Sequence, residues 1–443
     1  MPVEPRWLRN APRLVRERLG SRPLLRQVVG NIIWLVGDKI VRLGVGVWIG
    51  AWVARYLGPG QFGAMNFALA LVTLLSAVAT VGLPDILVRD LVRHPERRAS
   101  ILASAMAMRL AGGLLVMLVG AAAISYARPG DTRALVLVLM FAIGPLAQAA
   151  DVVDQQYQAL NYVRAIVLLR NISFAVISVA RVLAILFGAS VEVFAALTSI
   201  ELVIAGALML RLARRQSHGF GVRDISLTEC RRLFGESWPL LVRLVSIGIY
   251  MRVDQVMIGH FLGDHDVGIY AAAARLSEIW YLIPLMVMTA VVPRLARSHS
   301  TCATEYNEQL VTVMRLLFWM SVAVALVLSL GAPLIIRLLY GNAFAGAATI
   351  LAVHAWAGVF VTLGVASNAW FVNEGLTRFG LYQAVAGAAI GIALNLVLIP
   401  MLGIVGAAIT VVASQFVSAV LFNLLLPATR PIFQLQLKAM QWR

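Results

Sequence analysis

Residues 57–63 read Leu57-Gly58-Pro59-Gly60-Gln61-Phe62-Gly63, and 205 residues later the chain reads Leu262-Gly263-Asp264-His265-Asp266-Val267-Gly268. Both are LGxxxxG. Both close a long apolar run with basic residues near its middle, and both open onto a run rich in small residues. Arg109 and Arg315 fall at nearly the same offset. The chain therefore reads as two copies of one unit. Six apolar runs are crossed between the copies, an even number, so the halves share one orientation: a parallel repeat about an axis normal to the layer they cross.

That layer is a membrane. Of 443 residues, 60% are hydrophobic and 13% charged, against about 25% charged in a soluble globular chain. Repeated apolar runs of membrane-spanning length, with 16 Pro and 35 Gly, favour helical spans over the short alternating segments of a β-barrel. Charged, Pro and Gly punctuation gives twelve spans, near 29–54, 62–86, 100–125, 133–154, 164–187, 191–211, 238–261, 267–292, 309–331, 347–371, 379–399 and 403–426. Pro333 to Tyr340 reads as an extension of the ninth. The predicted fold is an all-α polytopic membrane protein of two six-helix lobes. Its expected parts are a basic tail (1–27), an N-lobe (28–211), a linker (212–237) with a short surface helix over Leu227 to Phe234, a C-lobe (238–428) and a C-tail (429–443).

Loop charge sets the orientation. The tail holds Arg6, Arg9, Arg13, Arg16, Arg18, Arg22 and Arg26. Even-numbered connections are similarly basic, whereas the other side has only Arg55, Arg128 and Arg133. Both termini are expected to be cytoplasmic. The Arg-rich start lacks a long apolar core, so no cleaved signal is expected. With Trp7, Leu8, Leu14, Val15 and Leu19 among its arginines, the tail reads either as a topogenic basic segment or as one lying on the anionic leaflet. The net charge of +16 is dispersed among apolar spans, which excludes a nucleic-acid face. Cys230 and Cys302 sit in separate polar loops on the cytoplasmic side, and no disulfide is implied. There is no Walker A run, HExxH, GxSxG or metal-spaced Cys/His set. Hence no catalytic residue, metal or cofactor is expected, and ATP is not the direct energy source.

Ten basic residues lie within spans: Lys39, Arg42, Arg109, Arg170, Arg181, Arg243, Arg252, Arg275, Arg315 and Arg337. Each costs roughly 2.5–3.5 kcal/mol at the bilayer centre. All ten facing lipid would cost roughly 25–35 kcal/mol, against a net stability of about 5–15 kcal/mol. Arg337, near a helix end, snorkels. Asp38 with Arg42 and Arg275 with Glu278 have the i,i+4 and i,i+3 spacings of self-neutralising pairs. The clear spanning acids are Asp38, Glu201, Asp254 and Glu278, too few to pair with all ten. The remainder, led by Arg42, Arg252 and Arg275 with Lys39 and Arg109, is expected to line a wet cavity, and a cationic cavity suits an anionic cargo. Asp254 lies two residues after Arg252, on another helix face. Asp254, Asp38 and Glu278 are candidate proton or Na⁺ sites. The lone His260 and His354 read as structural. Pro84, Pro145, Pro239, Pro284 and Pro293 predict bent or interrupted spans.

The run Ala54-Arg55-Tyr56-Leu57-Gly58-Pro59-Gly60-Gln61-Phe62-Gly63 resembles the start of bacterial polysaccharide flippases, the O-antigen-translocase-like members of the multidrug/oligosaccharidyl-lipid/polysaccharide (MOP) exporter superfamily. The second half agrees: Glu236-Ser237-Trp238-Pro239-Leu240 leads into Ile249 to Gly259, then Val267 to Ala272 and Arg275-Leu276-Ser277-Glu278, and Leu339-Tyr340-Gly341 also fits. Met251-Arg252-Val253-Asp254-Gln255 is the most specific part of a resemblance that runs from about 28 to 425. It implies a MATE-like fold of two six-helix lobes around a central cavity. It also implies transport of polyprenyl-pyrophosphate-linked oligosaccharide units, with membrane lipids, an H⁺ or Na⁺ gradient and polysaccharide polymerase machinery as partners. The pyrophosphate would then be the anion that the basic residues meet. Two other readings stay open: a drug/cation antiporter on the same fold, for which an acidic or aromatic cavity is expected, and a non-transporting scaffold of a glycan assembly complex, for which full pairing and no central cavity are expected.

Overall fold

The structure, a computed structural model, describes residues 23–160, 162–215 and 220–441, with side chains from Arg42 onward except at 300, 301 and 303. The basic tail before residue 23 lies outside the described residues, as do the side chains of Asp38 and Lys39. The chain divides into a unit Met1–Gly46 and a unit Val47–Arg443. All that follows concerns the second unit unless stated.

Among the described residues the regular structure is helical throughout, and ten segments are long and apolar enough to cross a membrane. The longest, Arg42–Arg93, is 52 residues and contains two spans, because helix α1 (Pro23–Thr80) leaves helical geometry at Gly58. Helix α2 is Pro84–Arg93, α3 Arg98–Ala127, α4 Thr132–Ala147, α5 Val152–Ala159, α6 Val163–Leu186 and α7 Val191–Arg215. Helix α8, Leu227–Phe261, is not among those ten but covers the stretch expected as the seventh span, so about twelve spans fit the fold. Then come α9 (Asp264–Glu278), α10 (Leu282–Thr301), α11 (Ala303–Tyr340), α12 (Ala347–His354), α13 (Ala357–Asn373), α14 (Thr377–Leu402), α15 (Ile404–Phe416), α16 (Phe422–Leu425) and α17 (Arg430–Met440). Leu118, Val327, Leu330, Leu334 and Met401 stay exposed on these helices, the apolar outer face that lipid requires.

The two copies of LGxxxxG fold alike and meet. Gly58 (φ 69°, ψ 169°) and Gly263 (φ 94°, ψ 178°) hold the same left-handed conformation, open to glycine at little steric cost, and each starts a new helix. A Cβ on Gly63 would lie 1.7 Å from the Asp264 carbonyl oxygen, and one on Gly268 would lie 2.0 Å from that of Pro59. Shifting either pair by 205 residues generates the other. The contact is therefore self-complementary, as an interface across a pseudo-two-fold axis must be. Buried Ala271, Ala272, Ala273 and Ala274 in α9 let the backbones approach this closely. Phe62 and Tyr340 pack on Phe344, with ring centroids 6.0 and 5.5 Å apart, and fill the space behind it.

Interruptions also follow the repeat. Pro145 precedes a 3₁₀ turn, Gln148–Asp151, between α4 and α5, and 205 residues on the chain breaks again between α12 and α13 at Ala355 and Trp356. Pro333 does not end its helix, and α11 runs to Tyr340 as the sequence suggests.

One sequence expectation is corrected. The surface helix over Leu227 to Phe234 is not separate. Capped by Ser226, whose side chain accepts from the Glu229 amide, it continues through Pro239 into the membrane as α8. An ion network holds its first turns. Buried Glu229 accepts from Arg97 and Arg232, Arg232 also reaches Asp90 at 2.7 Å and Glu236 at 2.9 Å, and Arg89 donates to Glu236. The hydrogen bond that Arg232 donates to Glu229 is the main reason that its guanidinium is held above its ordinary value. Removing Glu229 would leave Arg232 with weaker acceptors, so Glu229→Ala is expected to lower stability by about 1–3 kcal/mol, read as a drop in melting temperature in detergent. The Glu236 carboxyl is held below 4.5, chiefly by its bond from Arg89. The stability this bond contributes is present above that unfolded value and is lost as pH falls through the lower folded one. Glu236→Gln is therefore expected to flatten the acid limb of the melting profile, with no change near neutral pH beyond the small effect of an exposed pair.

Candidate functional site

The second half of α1 faces α8 and α9 across a cavity of about 170 Å³, whose polar lining is Asn66, Thr73, Arg252, Gln255, Arg275 and Glu278. Two predicted site residues with bases, Arg252 and Arg275, and one with an acid, Glu278, thus share one wall. Arg252 makes a two-pronged bond to Glu278, Nη1 to Oε1 and Nη2 to Oε2, both 3.1 Å. Arg275 is exposed and makes no hydrogen bond or ion pair among the described residues. It lies over Gly50, where a Cβ would stand 3.1 Å from its Nη1. Here the sequence misleads: Glu278 pairs with Arg252 on the neighbouring helix and not with Arg275 three residues away. One positive charge in the wall is left unbalanced.

Asp254 faces the other way. It is 3% exposed, accepts from the Tyr270 hydroxyl, and accepts from the Gln255 amide at 2.7 Å. His354 is buried, with its Nδ1 at 2.7 Å from the Ser277 hydroxyl. Arg42 is half-buried and belongs to the unit Met1–Gly46. With Lys39 and Asp38, it is described apart from the cavity.

Arg109 does not line the cavity. It is buried beside the α4–α5 break, where its Nη1 donates to the Gln148 carbonyl at 3.4 Å and its Nε has no partner. The same break carries Asp151 and Asp154, which hold Arg170 at 3.1 and 3.0 Å. These acids escape a sequence reading that ends span four at residue 154. Pro145 just ahead of them was the available signal of an interrupted helix. Other spanning bases are engaged locally: Arg181 pairs with Glu201 at 3.1 Å, Arg243 donates to the Asn368 amide oxygen at 2.7 Å, and Arg315 donates to the Lys438 carbonyl at 3.1 Å. The last contact belongs to α17, which turns Ile432, Leu435, Gln436 and Ala439 inward.

Two arginines at span ends also act across the chain. Arg128 bonds Asp264 at 2.7 Å and the Gly259 carbonyl at 2.8 Å, and stands 4.0 Å over the Phe67 ring. Arg55 donates to the Arg337 carbonyl at 3.2 Å and to that of Leu338. Both reinforce the end at which the LGxxxxG copies meet. Among the described residues no His, Cys, Asp or Glu cluster is arranged to hold a metal.

A family model described as polysaccharide biosynthesis protein matches residues 28–299, and the MatE model matches 239–397. No curated protein matches the chain. The fold is similar to an inward-facing multidrug resistance MATE family transporter of the MOP superfamily, with TM-score 0.71, 15% identity, and coverage of 90% of this chain and 96% of that one. It is similar also to the lipid II flippase MurJ in an inward closed conformation, with TM-score 0.69, 15% identity, and coverage of 92% and 91%. A third similar structure is a MOP superfamily transporter from Pyrococcus furiosus, with TM-score 0.59, 16% identity, and coverage of 90% and 96%. The sequence resemblance and these matches agree on a MATE-like fold. With more than half of its length matched by that model, the chain belongs to the polysaccharide biosynthesis protein family.

Proposed function

We propose that this transporter flips polyprenyl-pyrophosphate-linked oligosaccharide units from the cytoplasmic to the periplasmic leaflet of a bacterial inner membrane, by alternating access between lobes 28–211 and 238–428. The observation that carries this reading is the unbalanced charge of the cavity: Arg275 stands free beside the Arg252–Glu278 pair. A guanidinium fork fits phosphate oxygens two at a time. Lys39 and Arg42 remain in the proposed pyrophosphate set on the sequence argument, while Arg109, engaged at the α4–α5 break, leaves it. At about 170 Å³ the cavity is smaller than the roughly 300–1,000 Å³ of ordinary ligand sites. It accounts for the charged group, and the glycan needs an opened state. In this reading the tails and the linker 212–237 are cytoplasmic, the LGxxxxG contact is the periplasmic closure, and Asp254, sealed beside Arg252, is the leading candidate for coupling to H⁺ or Na⁺, with Asp38 and Glu278 behind it. The polymerase that consumes the flipped unit is the expected downstream partner.

A drug/cation antiporter would place an unbalanced acid in this wall, and a scaffold would leave no unpaired base there. The test is reconstitution into vesicles. Labelled polyprenyl-pyrophosphate oligosaccharide is expected to exchange between leaflets only with protein present, at a rate set by an imposed proton or Na⁺ gradient. Uptake of an organic cation with no exchange of the lipid would reverse the ranking.

A further inference from the structure

Glu278 occupies the one place in the cavity where an anion is already bound. It is the last residue of α9, and a 3₁₀ turn, Ile279–Tyr281, follows. Among the described residues Arg252 is the only donor to Glu278, through the two 3.1 Å bonds. The carboxylate is also partly open to the cavity. Asp254 is the contrast, fixed by a hydroxyl and by a backbone amide at 2.7 Å and closed off from the cavity.

We infer that Glu278 is a displaceable counter-anion: in the empty carrier it holds Arg252 in the geometry that two phosphate oxygens would take, and the incoming pyrophosphate pushes it aside. This rests on the anionic-cargo reading above. The arrangement has two consequences. The empty wall carries one net positive charge instead of two, which lowers the cost of closing it away from water. It also selects by charge, because an anion must outbid a carboxylate already seated on Arg252. A pyrophosphate reaches Arg252 and Arg275 together and does so. A monophosphate or chloride, with fewer oxygens to share between two guanidinium groups, is rejected.

The probe is farnesyl pyrophosphate, compared with farnesyl monophosphate, titrated into the purified full-length protein in detergent at fixed salt. Glu278→Gln, which keeps the shape and removes the charge, is expected to bind the pyrophosphate about tenfold tighter and to narrow its advantage over the monophosphate. Glu278→Asp, one methylene too short for the fork, is expected to gain severalfold, and it carries the test if Glu278→Gln does not fold. A gain in affinity is not what a structural lesion produces. Unchanged or weaker pyrophosphate binding in a folded Glu278 variant, with wild type binding well, overturns the inference alone. Failure of wild type to prefer either phosphate over uncharged farnesol overturns the anionic-cargo reading with it.

Discussion

Arg275→Ala is expected to reduce glycan export roughly tenfold to a hundredfold at unchanged protein level. The residue has no partner among the described groups, so its loss strands nothing and the fold should be unaffected. What disappears is a charge-assisted bond to the cargo, worth about 1.5–3 kcal/mol, and each 1.4 kcal/mol is a factor of ten. Arg275→Lys keeps the charge but not the fork, and should retain an intermediate rate. Arg252→Ala is expected to be as inactive and less stable as well, because Glu278 would lose its only donor among the described residues. Quantifying export against immunoblotted protein, with melting temperature measured alongside, separates the two cases. Full export by both alanine variants would remove the cationic cavity from the mechanism.

The second large effect is expected at the glycine contact. Gly268→Ala would place a Cβ 2.0 Å from the Pro59 carbonyl, and Gly63→Ala one 1.7 Å from that of Asp264. No rotamer relieves a clash with backbone, so the two segments must separate. Overpacking of this kind costs about 1–3 kcal/mol, here charged to the closed state of one end. Either variant should lose most transport and admit a membrane-impermeant thiol reagent to a cysteine placed at Thr73, with Cys230 and Cys302 replaced. Gly60→Ala is the control inside the same motif, since nothing stands within 4 Å of its Cβ, and it should behave as wild type. Equal transport by Gly60→Ala and Gly268→Ala would show that this contact is not a closure that the cycle needs.

Much of this was legible in the sequence because it depends on local chemistry. The spans follow from apolar length, the repeat from glycines that the backbone demands at 58 and 263, and the opposed faces of Arg252 and Asp254 from helical spacing. The pairings did not follow. Arg275 and Glu278 have the spacing of a pair, yet α9 ends at Glu278, and the carboxylate meets Arg252, twenty-six positions earlier, across a helix interface whose rotation no spacing rule supplies. Asp151 and Asp154 read in sequence as the end of a span because the 3₁₀ turn after Pro145 carries no apolar signature. Those two acids dispose of Arg170, and Glu201 disposes of Arg181. Three of the ten spanning bases, Arg170, Arg181 and Arg252, thus meet acids, and of the bases that line the cavity Arg275 alone has no acid beside it among the described residues.

The central claim, that this wall recognises an anion carried on a lipid, is tested most directly by binding. Polyprenyl pyrophosphate, polyprenyl monophosphate and the uncharged polyprenol would be titrated against wild-type protein and Arg275→Ala. Affinity is expected to fall in that order for wild type, by tenfold or more between pyrophosphate and alcohol, and the gap should shrink in Arg275→Ala. Equal affinity of wild type for the pyrophosphate and the alcohol would contradict the account.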